Sequence, residues 1–142
     1  DLLFQMVSNL IDNAIKYTPE HGGIVVAVQR EGAAAVFEVR DSGIGIPDDE
    51  KDQVFQRFYR VGKSRSLPGN GLGLSLVSAV AEIHLGQILL SDTHPGEEPP
   101  GLTVSVHMPA FTGVRKRIKA TSVEPAADSA DERTSTAEPG KA

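Results

Sequence analysis

Residues 1–19, Asp-Leu-Leu-Phe-Gln-Met-Val-Ser-Asn-Leu-Ile-Asp-Asn-Ala-Ile-Lys-Tyr-Thr-Pro, carry the reading of the fold. Leu3, Met6, Leu10 and Ala14 recur at spacings of three and four, and Leu2, Val7 and Ile11 widen the apolar stripe. That period predicts an amphipathic helix over residues 1–17. Gln5, Asn9, Asp12, Asn13 and Lys16 take the opposite side. Thr18-Pro19 and His21-Gly22-Gly23 end the helix, because proline lacks the N–H that a further turn needs. Asn9 and Asn13 stand four apart and share one side, with Lys16 and Tyr17 following. An asparagine carbonyl suits a hard cation that keeps waters and phosphate ligands, and a lysine offers a point charge for phosphate. Taken alone, the same residues also describe an ordinary solvated helix face.

Working outward, residues 24–30 are rich in β-branched side chains and predict a strand. Glu31-Gly32-Ala33 reads as a hairpin turn, and residues 35–40 as a second strand. Residues 41–47 form a glycine-bearing loop. Residues 48–58 read as a short helix opened by acidic side chains, burying Phe55 and Phe58. Residues 59–70 are polar and basic without periodicity, and read as a mobile loop. A second amphipathic helix spans residues 72–85, with Gly86 as its stop. Residues 87–92 and 102–108 read as strands around a Pro/Gly-rich connection. The expected class is therefore α/β: a two-layer sandwich with helices on one face of a mixed, mainly antiparallel sheet. Residues 1–109 form its one domain. Residues 110–142, basic and then low in complexity, read as a disordered tail.

Two glycine loops carry further chemistry. Asp41-Ser42-Gly43-Ile44-Gly45-Ile46-Pro47 follows a strand directly. An ionised carboxylate there accepts from an exocyclic amine, and the glycines let backbone approach a flat ligand. An Asx-type turn accounts for the same residues equally well. Gly69-Asn70-Gly71-Leu72-Gly73-Leu74 leads into a helix and exposes backbone N–H groups to phosphate. It is neither a P-loop nor a dinucleotide fingerprint, since no Gly-Lys-Ser/Thr follows and the third glycine comes early. Between the loops, Val54-Phe55-Gln56-Arg57-Phe58-Tyr59-Arg60 interleaves aromatic and basic residues.

Composition narrows the classes. The chain has 142 residues and a formal net charge of −5, which disfavours a nucleic-acid partner. It holds no cysteine, so disulfides, thiolate metal sites and cysteine nucleophiles are excluded. The four histidines lack metal-ligand spacing. No apolar run approaches a membrane span and no signal peptide opens the sequence, so no direct membrane contact is expected. The first residue is Asp1, and the chain reads as a segment of a longer protein. Arg57, Arg60, Lys63 and Arg65 cluster within an otherwise acidic domain.

In order and spacing these motifs resemble the catalytic and ATP-binding domain of sensor histidine kinases, within the gyrase-, MutL- and chaperone-type ATPase superfamily. NLIDNAIKYTP resembles the asparagine box, DSGIGIP the first glycine box, VFQRFYR the phenylalanine box and GNGLGLSLV the second glycine box. The closing strand LTVSVHMP also fits, and the likeness covers about residues 1–109. It implies a Bergerat-type ATP-binding fold with an ATP lid over about residues 47–70. It implies that Asn13 ligates Mg²⁺ and that Asn9 sits by the phosphates. Lys16 would bind phosphate, and Tyr17 would line the site. Asp41 would accept from the adenine amino group, with Gly43 and Gly45 shaping that pocket. Arg60 would contact the terminal phosphate. Gly69, Gly71 and Gly73 would form the phosphate-side hinge of the lid, and Leu72 would join them among the ATP-binding residues. Asn9, Lys16 and Arg60 are thus the expected catalytic residues.

The resemblance further implies transfer of the ATP γ-phosphoryl group to a histidine on a separate dimerisation domain, then relay to a response regulator. The domain would be cytoplasmic, in a parent that the membrane often anchors. Three departures stand out. Leu85 precedes a single Gly86 where the family has two glycines. No histidine has the context of a phosphoacceptor. The family also has a strand just before the position of Asp1, which this segment is expected to lack. The competing reading, a stand-alone serine kinase of the anti-sigma-factor type, is disfavoured because such proteins resemble one another in carrying Glu at the position of Asn9. A non-catalytic nucleotide-sensing module is the other alternative.

Overall fold

The computed structural model describes residues 1–62 and 71–110, so the expectations for Lys63, Arg65, Gly69 and residues 111–142 lie outside the described residues. Helix α1 spans Leu2–Tyr17. Its free N–H groups at the start are met by Asp1, whose carboxylate accepts from Leu3 N–H at 2.9 Å. At the far end Thr18 turns extended, as the residue before a proline must, after donating its N–H to Ala14. The apolar stripe becomes the inner face: Met6, Leu10 and Ala14 are buried.

Strands β1 (Ile24–Glu31) and β2 (Ala34–Asp41) form the expected hairpin, with Ile24 opposite Asp41 and Glu31 opposite Ala34. Helix α2 (Gly73–Ile83) leads to β3 (Gln87–Ser91), and β4 (Thr103–Pro109) closes the sheet. The spatial order is β1-β2-β4-β3, and every neighbouring pair is antiparallel. Side chains alternate between sheet faces. Phe37 and Val39 of β2 and Val104 and Val106 of β4 therefore point one way, into a core with Val77, Val80 and Ala81 of α2. Both helices cover that face, which is the two-layer sandwich expected. Strand β1 lies at the edge, where Val28 remains 74% exposed.

The segment after Pro47 differs from expectation. In place of a short helix it makes two 3₁₀ turns, Asp48–Glu50 and Gln53–Phe55. Val54 is buried and Phe55 packs beside it, but Phe58 is 66% exposed and adopts a φ of 63°. A tertiary hydrogen bond accompanies the turn: Phe58 N–H donates to the Gly71 carbonyl at 3.1 Å, and the side chain is left facing outward. A bulky residue in the left-handed region costs roughly 1–2 kcal/mol.

The end of α2 also departs from the sequence reading, stopping at Ile83 rather than Leu85. Gly86 N–H reaches back to the Ala81 carbonyl at 2.8 Å, a helix-closing bond that needs a left-handed residue just before it. Leu85 takes that role with a φ of 55°. The missing family glycine is thus replaced in conformation, at the steric cost that a Cβ brings.

Candidate functional site

The α1 polar face and the glycine loops meet in one cavity of about 210 Å³. Asn9, Asn13, Lys16 and Tyr17 line it from α1, and Asp41 and Gly45 from the first glycine loop. Gly71 and Gly73 line it from the start of α2, and Tyr59 and Arg60 from the segment after the 3₁₀ turns. Ile44, Ile46, Val54, Val61, Leu74 and Leu102 supply apolar wall. An apolar cleft with a few convergent polar groups is the form that small-molecule sites take.

Asp41 is the most constrained of these residues. It ends β2 and is only 6% exposed. Its Oδ1 accepts from Gly43 N–H at 2.8 Å and from Leu102 N–H at 3.1 Å. Among the described residues no group donates to Oδ2, the oxygen left for a ligand in the cavity. Burial pushes the Asp41 pKa up, and the two backbone donors oppose that rise only in part. Gly43 lies behind the carboxylate rather than on the cavity wall. A Cβ there would stand 2.3 Å from the Tyr17 carbonyl oxygen, so only glycine lets the loop pass the end of α1.

On α1, Asn9 Nδ2 donates to the Gln5 carbonyl at 2.8 Å, which fixes the side chain along its own helix. Lys16 Nζ lies over the Tyr17 ring, 4.9 Å from its centre. A Cβ on Gly73 would come 3.2 Å from Asn13 Nδ2, so α2 begins directly against the Asn13 amide. Leu72 does not line the cavity. It is the N-cap residue directly before α2, and its carbonyl accepts from Ser75 Oγ at 2.9 Å and from Leu76 N–H at 3.0 Å. Its apolar side chain makes no cap hydrogen bond. A helix start in that state attracts anions.

Gly71 holds the base of the loop after Arg60. Its φ is +74°, and a Cβ would stand 2.7 Å from the Tyr59 carbonyl oxygen. Arg57 packs over the Phe58 ring instead of entering the cavity, 5.5 Å from the ring centre.

Sequence reasoning overlooked Gly101 and Leu102. A Cβ on Gly101 would stand 2.1 Å from the Asp41 carbonyl oxygen, and the next residue delivers an N–H to the Asp41 carboxylate. The signal was present as a glycine immediately before the alternating strand at residues 102–108. The apolar wall was also missed, although isoleucines 44 and 46 alternate with glycine in the first loop.

Residues 1–112 match the family model described as histidine kinase-, DNA gyrase B-, and HSP90-like ATPase, and the chain belongs to that family. It is 44% identical over 108 residues to the signal transduction histidine-protein kinase/phosphatase MprB of Mycobacterium tuberculosis. It is 43% identical over 108 residues to MprB of Mycobacterium avium. Each alignment takes in 75% of this chain and 21% of the relative, so the chain spans about a fifth of these curated relatives. Among solved structures it resembles a mycobacterial sensor histidine kinase MprB, with a TM-score of 0.73 and 36% identity, covering 76% of this chain and 72% of that one. The catalytic domain of the histidine kinase ThkA gives a TM-score of 0.64 at 27% identity, covering 76% and 67%. No described helix is long and apolar enough to cross a membrane.

Proposed function

We propose that this chain is the ATP-binding catalytic domain of a two-component sensor histidine kinase. The observation that carries the reading is convergence. Four motifs separated along the chain line one cavity, and among the described residues the Asp41 carboxylate keeps one oxygen free of donors. That oxygen accepts the adenine amino group, while the apolar wall takes the base. Lys16, Arg60 and the backbone at the start of α2 face the phosphates. The acidic total charge is no obstacle, because these groups place positive potential where the anion binds.

The donor set also fits magnesium. No cluster of three His, Cys, Asp or Glu side chains that would hold a metal exists among the described residues. Mg²⁺ keeps several waters and binds phosphate oxygens, so the Asn13 carbonyl is a sufficient protein ligand. When bound, the ion neutralises charge on the β- and γ-phosphates.

In the reaction the γ-phosphorus loses its bond to the bridging oxygen and gains one to an imidazole nitrogen, and ADP leaves. The histidine belongs to a separate dimerisation domain, and a response regulator takes the phosphoryl group next. This domain positions the nucleotide and offsets charge. Asn9 matters through what it cannot do: an amide is no general base at neutral pH, so water is not activated and the phosphoryl group is preserved. The domain would lie on the cytoplasmic side of a parent kinase of a type that the membrane often anchors.

Calorimetry of the 142-residue chain with Mg·ATP tests the binding, and failure to bind overturns the reading. Incubation with a dimerisation domain tests the transfer, since phosphohistidine is lost in acid and phosphoserine is not. Hydrolysis by the isolated chain should be slow and should rise in Asn9→Glu; no gain counts against the role given to Asn9.

A further inference from the structure

A chain of polar contacts ties one cavity wall to the sheet, and the proposed function does not use it. Lys51 directly follows the first 3₁₀ turn, and its side chain is 16% exposed. Its ammonium donates to Asp48 on its own turn and to Asp92, 2.9 Å away and 41 positions along the chain. Asp92 directly follows β3. Next to Lys51, Glu50 accepts from the Tyr59 hydroxyl at 2.6 Å. Tyr59 and Arg60 line the cavity, as do Ile46 and Val54 on either side of the Lys51 turn.

Most of this wall's described backbone bonds are short-range, Glu50 to Pro47, Lys51 to Asp48, Gln56 to Gln53 and Tyr59 to Gln56, while Phe58 N–H reaches the Gly71 carbonyl just before α2. Its apolar cluster has three buried members, Ile46, Val54 and Val61. Burial disfavours the charge on Lys51, but the carboxylates of Asp48 and Asp92 outweigh it, and the lysine pKa is raised. Lys51 therefore keeps its positive charge across the ordinary working range of pH.

We propose that Lys51 is a positioning residue for the nucleotide: paired with Asp92, and beside the Glu50–Tyr59 hydrogen bond, it holds the Val54 and Tyr59 wall against the sheet and sets the cavity's width. Lys51 does not itself line the cavity, so its effect passes through Ile46, Val54, Tyr59 and Arg60. The inference rests on the nucleotide reading given above.

The test is calorimetric affinity for Mg·ATP in the 142-residue chain. Lys51→Met keeps the apolar stem and removes the charge. Misplacing a wall of a binding site weakens a ligand steeply, and a loss of about tenfold is expected. Asp92→Asn should lose a similar factor, and the double variant should lose no more than either alone. Lys51→Arg should restore most of the affinity. Ser105→Ala removes a hydrogen bond to Glu38 on the other sheet face, and should lower stability without changing affinity. Should Lys51→Met fail to fold, Asp92→Asn carries the same comparison. Unchanged affinity in the folded Lys51 and Asp92 variants overturns the proposal while leaving the functional reading intact. Additive losses, or an equal loss in Ser105→Ala, also overturn it. A parent chain that binds no Mg·ATP overturns the functional reading and this inference with it.

Discussion

The two walls of the cavity are built in opposite ways. One wall is α1, where Asn9, Asn13 and Lys16 sit on the turns that bury Met6, Leu10 and Ala14 on the other side. The helix period alone sets those polar groups relative to the core. The facing wall is two 3₁₀ turns and an extended segment, held by three buried aliphatic side chains and the leucines packed on them, by the Phe58–Gly71 backbone bond and by the contacts of Lys51 and Glu50. Position on the first wall is a local property of the backbone. On the second it is a property of side chains that meet from distant parts of the chain. Substitutions should therefore separate the walls: damage to α1 couples stability to binding, whereas damage to the facing wall reduces binding with little loss of fold.

The largest effect is expected at Met6, which is 1% exposed under the α1 polar face. Met6→Ala should cost about 2–5 kcal/mol in denaturant unfolding, and nucleotide affinity should fall with the loss of folded protein. If stability is unchanged, α1 is not the rigid wall described.

Asp41→Asn is the next test. The amide carbonyl still accepts from Gly43 and Leu102, but an N–H₂ group replaces the free oxygen. A lost hydrogen bond to a charged group is worth about 1.5–3 kcal/mol, so ATP affinity should fall roughly 10- to 100-fold. Guanine offers an oxygen where adenine offers an amine, so GTP should lose far less. Equal losses for both nucleotides would mean that Oδ2 does not read the base.

Proton linkage gives Asp41 a pH signature. Its folded pKa is raised by burial, so its ionised form penalises folding above that raised value, and the penalty lifts as pH falls toward the ordinary aspartate value. Binding has the opposite sign, because only the ionised carboxylate accepts from the base. ATP affinity should therefore decline on acidification before ordinary carboxylates titrate, and Asp41→Asn should lack that decline. Glu38 provides a contrast on the other sheet face. The Ser105 hydrogen bond and the Arg40 partner lower its pKa, so its stabilising contribution is present at neutral pH and lost as pH falls through its lowered value.

Val54→Ala probes the facing wall. It removes less buried volume than the Met6 change and should cost roughly 1–2 kcal/mol of stability. Its affinity for Mg·ATP should fall by more than the folded fraction does. Proportional losses would erase the distinction between the walls. The smallest effect belongs to a position outside both. Leu85 is 83% exposed with a φ of 55°, so Leu85→Gly should relieve strain and stabilise the chain by about 1 kcal/mol. Its affinity should stay unchanged, which makes it the control for stability alone.

How far the sequence reaches follows from the same contrast. The α1 stripe at Leu3, Met6, Leu10 and Ala14 was legible because a helix maps spacing directly onto a face. The β-hairpin was legible from the β-branched run at residues 24–30 and the glycine turn. Asp41 stood out because it directly preceded a glycine loop. Residues 48–58 were misread as a helix, since their acidic start suits a helix and nothing local reports the bond from Phe58 to Gly71. Nor does spacing place Leu102 N–H on Asp41, because 61 positions separate them.

Residue order was thus enough for the two-layer architecture, the polar face of α1 and the family resemblance, all of which rest on short-range periodicity and ordered motifs. Three things required the folded chain: the burial that raises the Asp41 pKa, the left-handed turns at Phe58 and Leu85, and the Lys51–Asp92 brace. Each depends on backbone or charge brought close by packing, and such proximity is a property of the assembled layers that no local sequence pattern encodes.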